Sequence, residues 1–336
     1  MVRQFVRTLD GANESSSYTG AAKTDKIALP KDFLLQRIII DVQGDLDLAV
    51  SVLVEDAGMA AISEIKLTVT EGQQRGGGNN NYIVVSGVDL FFINFFDNQE
   101  ELQETIPTAD GSDSPVGFQL VIDFRLAKKD PDDYSVSIPT YDKSSITLSI
   151  TWVAIATGYG TNITHVAWTA KLTLIEGIPE TEEEFEAFKA NPKLTLTRTS
   201  TTLANSTGIE KRNQDIGVGI LMRRLFYFTR ANGSTRSDAQ INDFTLRTIR
   251  DGFYYEKVDW AAIQAEDKML YRIRAYDGER TVTGLIVFDF ARGASDESGR
   301  VFGLDLTGLK SGDFKMEIDK AVAQPDVVWI QENVEA

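Results

Sequence analysis

Residues 121–125 read Val-Ile-Asp-Phe-Arg, and residues 287–290 read Val-Phe-Asp-Phe. Each stretch leads through a loop to a Thr-x-x-Lys-Ser segment, at Thr140–Ser144 and Thr307–Ser311, and then to residues that alternate between apolar and polar. Alternation with a period of two is typical of a β-strand with one buried face. The same strand–loop–strand arrangement is therefore predicted twice in this chain.

Three earlier blocks also recur in the same order in both halves. They are Arg37–Ile40 with Arg224–Tyr227, Ile62–Leu67 with Ile241–Leu246, and Val88–Leu90 with Val258–Trp260. The offset between the copies falls from 187 to 166 residues along the chain, so the second copy is the shorter one. A period of this length exceeds the roughly 20 to 50 residues of solenoid repeats and matches a whole domain. The sequence predicts two tandem copies of one β domain.

Other segments rich in β-branched and aromatic residues predict further strands, and Gly, Asn, Asp and Ser clusters separate many of them. Besides the alternating segments 146–152 and 314–318, these predicted strands are 35–42, 48–54, 62–70, 82–92, 117–126, 168–175, 194–198, 220–229, 241–249, 269–276, 282–290 and 326–331. The longer predicted loops are 71–81, 107–115, 128–134, 230–237 and 292–299.

One segment predicts a helix clearly. Pro179–Ala190 begins with proline and acidic residues, which suit a helix N-terminus, and Asn191-Pro192 ends it. It falls between the two copies and is interpreted as a linker or brace. Trp260–Lys268 is a second helix candidate, and its counterpart Leu90–Phe96 fits either a strand or a short helix.

Composition excludes several classes of function. The 336 residues include no cysteine and a single histidine, His165, which excludes disulfides and thiolate metal sites and disfavours His-rich zinc sites and Ser-His or Cys-His nucleophiles. A net charge of −16 disfavours nucleic-acid binding. No apolar run is long enough for a transmembrane helix, and no signal peptide is recognised, so we expect a protein kept in the cytoplasm until it assembles or is released by lysis.

No motif specifies an enzyme. The acidic groups Asp130, Asp132 and Asp133, and Asp110 with Asp113, do not follow the spacing of a calcium-binding EF-hand loop, and are interpreted as solvated loops. The glycine run at 76–78 lacks the Lys-Ser/Thr of a phosphate-binding loop. His165 has no evident Ser or Cys partner.

Asp123 and Asp289 hold equivalent places in the repeat. A glycosidase would need two carboxylates about 5 to 10 Å apart, which two residues in separate domains are poorly placed to supply. Both are therefore interpreted as residues at strand ends that fix a turn or an inter-strand hydrogen bond.

The repeated pattern resembles the double jelly-roll major capsid proteins of tailless icosahedral viruses, a lineage that runs from membrane-containing phages and archaeal viruses to adenovirus hexon. The resemblance is carried by the Arg-led strands Arg37–Val42 and Arg224–Phe228, by the segment entering 62–69, and by the late strand pairs 123–152 and 289–318. It implies an all-β fold of two tandem eight-stranded jelly-roll β-sandwiches with a short linking helix. The implied division is an N-terminal arm (1–30), a first jelly roll (31–178), a linker helix (179–192) and a second jelly roll (193–336).

The resemblance also implies a structural function without enzymatic activity, cofactor or metal. Pseudo-hexagonal homotrimers would tile an icosahedral shell through trimer–trimer contacts, assembled in the host cytoplasm and retained in the virion. Further expected partners are penton or minor capsid proteins and an internal lipid membrane reached by the N-terminal arm, with no sequence-specific nucleic-acid binding. The segment 1–37 is mildly basic on an acidic protein, and Arg3, Phe5, Val6 and Arg7 are the expected assembly residues, docking on a neighbour or on lipid.

Three alternatives remain open. A phage spike or fibre would also be acidic, cysteine-free and rich in strands, although fibres usually carry short repeats. A tandem β-sandwich adhesin or glycan-binding protein would present an exposed aromatic cluster. A two-domain β-sandwich glycosidase would lose turnover when one acid is replaced.

Overall fold

The computed structural model describes residues 2–9, 11, 13–49, 52–71, 79–98, 104–212, 216–231, 235–248, 252–271, 282–291 and 303–335. The chain separates into two compact units, Met1–Leu194 and Thr195–Ala336. Both consist mainly of β-strands, which confirms the predicted all-β class.

The first unit contains two antiparallel sheets. Its strands are β1 (Val2–Leu9), β2 (Ser15–Tyr18), β3 (Lys23–Ala28), β4 (Leu34–Leu48), β5 (Ile62–Glu71), β6 (Asn79–Val85), β7 (Glu104–Thr105), β8 (Gly111–Asp123), β9 (Ile138–Pro139), β10 (Lys143–Trp152) and β11 (Ile163–Pro179). Its helices are α1 (Gly87–Asn98), α2 (Ile155–Gly158) and α3 (Glu182–Phe188). One sheet has the order β1-β11-β4-β8-β7, with β2 also on β11 and β9 on β4, and the other has the order β6-β5-β10-β3.

The core of the first unit lies between these two sheets. Along β10 the apolar residues are buried, as the alternating sequence predicts. Trp152 from β10 stacks on Tyr18 from β2 with ring centroids 4.6 Å apart, and Trp168 from β11 packs against both rings. Phe118 from β8 meets Trp168 edge to face. Large aromatic side chains from both sheets therefore join the two layers.

The second unit repeats this plan with fewer residues. Its strands are β12 (Lys193–Thr202, which begins at the end of the first unit), β13 (Gly208–Lys211), β14 (Leu221–Ala231), β15 (Thr235–Arg236), β16 (Ile241–Thr248), β17 (Gly252–Asp259), β18 (Leu285–Asp289), β19 (Leu304–Asp305), β20 (Phe314–Lys320) and β21 (Asp326–Glu335), and its helix is α4 (Trp260–Leu270). One sheet has the order β13-β20-β16-β17. In the other, β14 pairs with β21 on one side and with β15, β18 and β19 at successive positions.

Aromatic residues again fill the space between the layers of this unit. Tyr227 of β14 stacks on Trp329 of β21 with centroids 6.0 Å apart, and Phe244 of β16 meets both Tyr227 and Phe288 edge to face. Trp260, the first residue of α4, packs on Phe244. All five side chains are buried.

Strand pairing confirms that the repeated blocks are equivalent. The block 62–67 forms β5 beside β10, and 241–246 forms β16 beside β20, with Ile65 opposite Ile150 and Phe244 opposite Ile318. The short Val-Asp block is an exception, because Asp89 is the third residue of α1 whereas Asp259 precedes α4.

Several element boundaries differ from the predictions, and the largest error concerns α1. The predicted strand 82–92 stops at Val85, where a reciprocal pair of bonds starts the helix: the Ser86 backbone N–H donates to the Asp89 carboxylate (2.8 Å) and the Asp89 N–H donates to the Ser86 hydroxyl (3.2 Å). Residues 87–96 are all buried, so this part of the helix has no solvent-exposed face and its sequence is mostly apolar. This uniform burial explains the error.

Other predictions were wrong at element ends. Of the predicted strand 48–54, Leu48 is the last residue of β4 and Leu53 forms an isolated bridge, while residues 50 and 51 lie outside the described residues. The predicted loop 107–115 becomes strand from Gly111. The linking helix occupies Glu182–Phe188, because β11 runs on to Pro179. Met269 and Leu270 end α4 rather than begin a strand.

Parts of some predictions lie outside the described residues, namely 272–276 of one predicted strand, 72–78 with its glycine run, 232–234, and 292–299. The strands that the sequence does not predict are β1, β2, β3, β13 and β17 and the two-residue strands β7, β9, β15 and β19. The described α-helices have four to twelve residues, and no described helix is long and apolar enough to cross a bilayer.

Candidate assembly surface on the N-terminal strand

The four predicted assembly residues lie on β1, which is the last strand of its sheet. β1 pairs antiparallel with β11 from Val2 opposite Pro179 to Leu9 opposite Leu172. Residues 3–6 of the strand are exposed, whereas Leu9 is buried. The N-terminal segment is thus part of the first sheet in this structure, with an exposed beginning and an anchored end.

Phe5 and Arg7 lie on the face of β1 that continues the core side of β11. Phe5 meets Phe33 edge to face, with ring centroids 5.6 Å apart. The Arg7 guanidinium lies 5.3 Å from the Phe5 ring and 5.7 Å from the Phe33 ring, within the range of cation–π attraction. The three side chains form one cluster, which we call the Phe5–Arg7–Phe33 cluster.

Two carboxylates hold Arg7 in this cluster. Its Nε donates to Oε2 of Glu176 at 2.6 Å, and its Nη2 donates to Oδ2 of Asp32 at 2.9 Å. Burial lowers the pKa of Arg7, but the bonds to Glu176 and Asp32 outweigh burial and raise it. Burial raises the pKa of Glu176, against the opposing influence of Arg7, and its Oε1 is buried without a hydrogen-bond partner in the described part of the chain. Arg7 therefore ties β1 to a carboxylate that would otherwise be buried alone.

The structure brings Phe5 and Arg7 together but places the other two residues elsewhere. Val6 lies on the opposite face of the strand, across from Ile175, with 56% of its surface exposed. Arg3 is exposed nearer the start of the strand, and Phe5 retains 38% exposure. Arg3, Phe5 and Val6 are therefore exposed, on the two faces of β1, whereas Arg7 is partly buried, and the four residues do not form a closed site.

Sequence reasoning missed the partners that fix this surface. Glu176 gave a usable signal, because it is a single acid within the apolar run Leu172–Ile178, and a buried charge requires a partner. Asp32 and Phe33 gave no comparable signal, since they lie in a short connection between strands.

His165 and Asp133, two further candidate residues, make local contacts within the first unit. The His165 side chain is half exposed, with Nε2 at 3.2 Å from Oδ1 of Asp45. Asp133 accepts backbone N–H groups from Leu126 and Ala127, both at 2.7 Å, so its carboxylate organises the 128–134 loop. A groove of about 540 Å³ beside this loop is lined by Val2, Asp130, Asp132, Asp133, Tyr134, Ser135 and Phe188. No group of His, Asp and Glu suited to a metal ion occurs among the described residues.

Asp123 and Asp289 end β8 and β18, and each accepts the backbone N–H of the residue two positions later. Their interpretation as residues that fix a turn at a strand end is confirmed. Asp123 also forms a two-pronged pair with Arg125, which has Nη2 at 2.7 Å from Oδ2. Asp289 instead accepts the Tyr271 hydroxyl at 2.7 Å.

No family model matches the chain, and no curated protein matches it either. Solved structures match it over nearly its full length. The major capsid protein of Sulfolobus Turreted Icosahedral Virus has a TM-score of 0.72 at 16% identity, covering 99% of this chain and 97% of that chain. The major capsid protein of Bacteriophage PM2 has a TM-score of 0.60 at 10% identity, covering 99% and 98%. A chain of the PBCV-1 virus capsid has a TM-score of 0.64 at 9% identity, covering 99% and 94%.

Each of these three chains is spanned almost completely, so the likeness extends over both units of the present chain rather than over one sandwich. This coverage agrees with the duplicated strand pairs found within the chain. The chain has the double jelly-roll fold seen in these viral major capsid proteins.

Proposed function

We propose that this chain is a structural capsid protein that forms pseudo-hexagonal homotrimers and tiles an icosahedral virus shell. The observation that carries this proposal is the match to major capsid proteins over 99% of this chain and 97% to 98% of theirs. Fold alone does not specify function, but a tandem pair of sandwiches with no evident catalytic constellation among the described residues suits a structural capsid subunit better than an enzyme. The protein would act without enzymatic activity, in the virion, after assembly in the host cytoplasm.

The proposal assigns each segment of the chain the role that the sequence predicts for it. Residues 31–178 and 193–336 would be the two jelly rolls, with 179–192 as the linker and 1–30 as the segment that meets neighbours. Penton or minor capsid proteins and an internal membrane would be further partners. The exposure of Phe5 and Val6 on a sheet edge supports a contact between this segment and another copy or a lipid surface.

The test of the proposal is the mass of the purified chain by light scattering, followed by negative-stain imaging of the same fraction. We expect a compact trimer with a six-sided outline. A chain that stays monomeric at high concentration would refute the capsid proposal and favour glycan binding or hydrolysis, and a long thin trimer would favour a fibre.

The part assigned to β1 is tested separately with Val6→Asp and a matched control, Val52→Asp. Both valines are exposed, at 56% and 72%, and both belong to the first unit. If β1 contacts a neighbour or lipid, Val6→Asp lowers the yield of assembled particles and Val52→Asp does not. Equal yields from the two variants would remove β1 from the assembly surface and leave the trimer proposal intact.

A further inference from the structure

A side chain of α1 occupies the place of a neighbouring strand at the edge of β8. Val121 of β8 lies opposite Ile39 of β4. The Asn94 amide bonds the Val121 backbone in both directions: Nδ2 donates to the carbonyl at 2.7 Å, and Oδ1 accepts the N–H at 2.7 Å. An antiparallel partner residue makes this same pair of bonds. Asn94 therefore satisfies the outer edge of β8 at this residue.

The second unit has the same device at β18. Val287 lies opposite Phe226 of β14, and its N–H donates to Oδ2 of Asp267 on α4 at 2.8 Å. Gln264 lies three residues earlier on the same helix face, and its Nε2 donates to the Leu285 carbonyl at 3.3 Å. Two side chains of α4 thus bond the edge that one asparagine of α1 bonds in the first unit.

The two bonds are equivalent residue by residue. Val121 and Val287 each lie two positions before the aspartate that ends their strand, and Ile39 and Phe226 each lie two positions after the arginine of the repeated block. Asn94 and Asp267 are 98% and 96% buried. The same bond at the same position in both copies, made by different residue types, indicates a requirement of the fold rather than a chance contact.

An unpaired strand edge offers N–H and C=O groups to any other chain, and proteins block such edges in several ways. In the first unit β7 pairs with the outer edge of β8 at Phe118 and Gly117, and Asn94 of α1 bonds the same edge at Val121. We propose that Asn94 and Asp267 are strand-edge caps that keep β8 and β18 closed to strand addition by a second copy of this chain. This inference does not depend on the capsid proposal, because it concerns a contact that the fold prevents.

The test compares Asp267→Ala with the matched control Asp267→Asn, which keeps an oxygen acceptor at the same position. A labelled peptide with the sequence Leu221–Ala231, the natural partner strand of β18, serves as the probe. We expect Asp267→Ala to bind the peptide and to form additional oligomers in size-exclusion chromatography, whereas Asp267→Asn and the unaltered protein do neither. A folded Asp267→Ala protein that ignores the peptide and keeps its normal size would overturn the proposal.

Hydrogen exchange keeps the proposal testable if Asp267→Ala does not fold. In the unaltered protein the amides of Val121 and Val287 should exchange at least tenfold more slowly than in an unstructured chain, because each bonds a buried side chain. Exchange of both amides at the rate of an unstructured chain would refute the caps. Asn94→Ala should accelerate exchange at Val121 and leave Val287 unchanged.

Discussion

Arg224 lies directly opposite Asp289 across β14 and β18, just as Arg37 lies opposite Asp123 across β4 and β8. The pair is a point at which the two units can be superposed residue by residue. The surroundings have diverged, however, because Asp123 pairs with Arg125 whereas Asp289 bonds Tyr271. What both copies retain is an aspartate that ends a strand and turns the chain.

Replacement of Asp123 should therefore test a buried ion pair and a turn together. Burial raises the pKa of Asp123, but the charges of Lys128 and Arg125 and the bonds from Arg125 outweigh it and lower the pKa. Asp123→Ala leaves Arg125 without its main partner, and the first unit should lose about 3 to 5 kcal/mol of unfolding free energy. Asp123→Asn keeps an acceptor for the Arg125 backbone N–H and should cost less. Urea denaturation measures both.

The control for this pair is Glu183→Ala on the exposed face of α3, which should change stability by less than about 0.5 kcal/mol. If Asp123→Ala and Glu183→Ala unfold at the same urea concentration, the ion pair of Asp123 with Arg125 contributes nothing to stability.

The duplication could be predicted from sequence because blocks of similar residues recur in the same order. In β10 and β20 apolar and polar residues alternate with a period of two, and β8 and β18 share a short apolar segment that leads into Asp-Phe. Helix α1 could not be predicted securely, since its burial on all sides removes the polar face that marks a helix. Strands β1 to β3 are polar at most positions because they lie at or near sheet edges, and their pairing depends on tertiary contacts with β10 and β11.

The candidate assembly surface was only partly accessible from sequence. Phe5 and Val6 could be selected from sequence, because they are apolar residues within a mostly polar N-terminal segment. The pairing of Arg7 with Glu176 joins residues 169 positions apart, and local pattern carries no information about such a contact. The edge caps Asn94 and Asp267 could not be predicted for the same reason, because each bonds a strand residue that lies 20 or more positions later in the chain.

Acid should weaken the first unit through Glu71. Burial raises the pKa of Glu71, but hydrogen bonds from Lys143 and Tyr82 and the charges of Lys143 and Lys193 outweigh it and lower the pKa to about 2. Because the pKa is lower in the folded state than its ordinary value of 4.5, ionised Glu71 stabilises the fold above that value. This stabilisation is lost as the pH falls from about 4.5 to about 2.

The measurement is the melting temperature as a function of pH for the unaltered protein and Glu71→Gln. The unaltered protein should be the more stable at neutral pH, and the difference should shrink across that window as the carboxylate is protonated. A difference that stays constant from pH 6 to pH 2 would show that the ionised state of Glu71 contributes no stability.

Replacement of Glu332 should strongly lower the free energy of unfolding of the second unit. It lies on β21, with 1% exposure, and accepts hydrogen bonds from Nη1 of Arg223 at 3.1 Å and from Nε of Arg224 at 3.2 Å. Glu332→Ala leaves two buried guanidinium groups without this counter-charge, and the expected cost is about 3 to 5 kcal/mol. Calorimetry should show a lower melting temperature for the second unit.

A control for Glu332 is Glu335→Ala at the end of the same strand, where the side chain is less buried. The two variants should differ by several degrees in melting temperature. Equal melting temperatures would mean that the arginines find other partners after the loss of Glu332.

The hydroxyl of Ser16 should contribute more to the free energy of unfolding than its small size suggests. It accepts the Trp152 indole N–H at 2.7 Å and donates to Oδ2 of Asp25 at 2.6 Å, and Ser16 and Trp152 are both buried. Ser16→Ala removes the partner of a buried donor, so the expected cost is about 1 to 3 kcal/mol. Ser17→Ala is the matched control, because Ser17 is the next residue of β2 and points to solvent. Urea denaturation followed by tryptophan fluorescence should show earlier unfolding for Ser16→Ala alone, and coincident curves for the two variants would mean that the indole N–H finds water when Ser16 is absent.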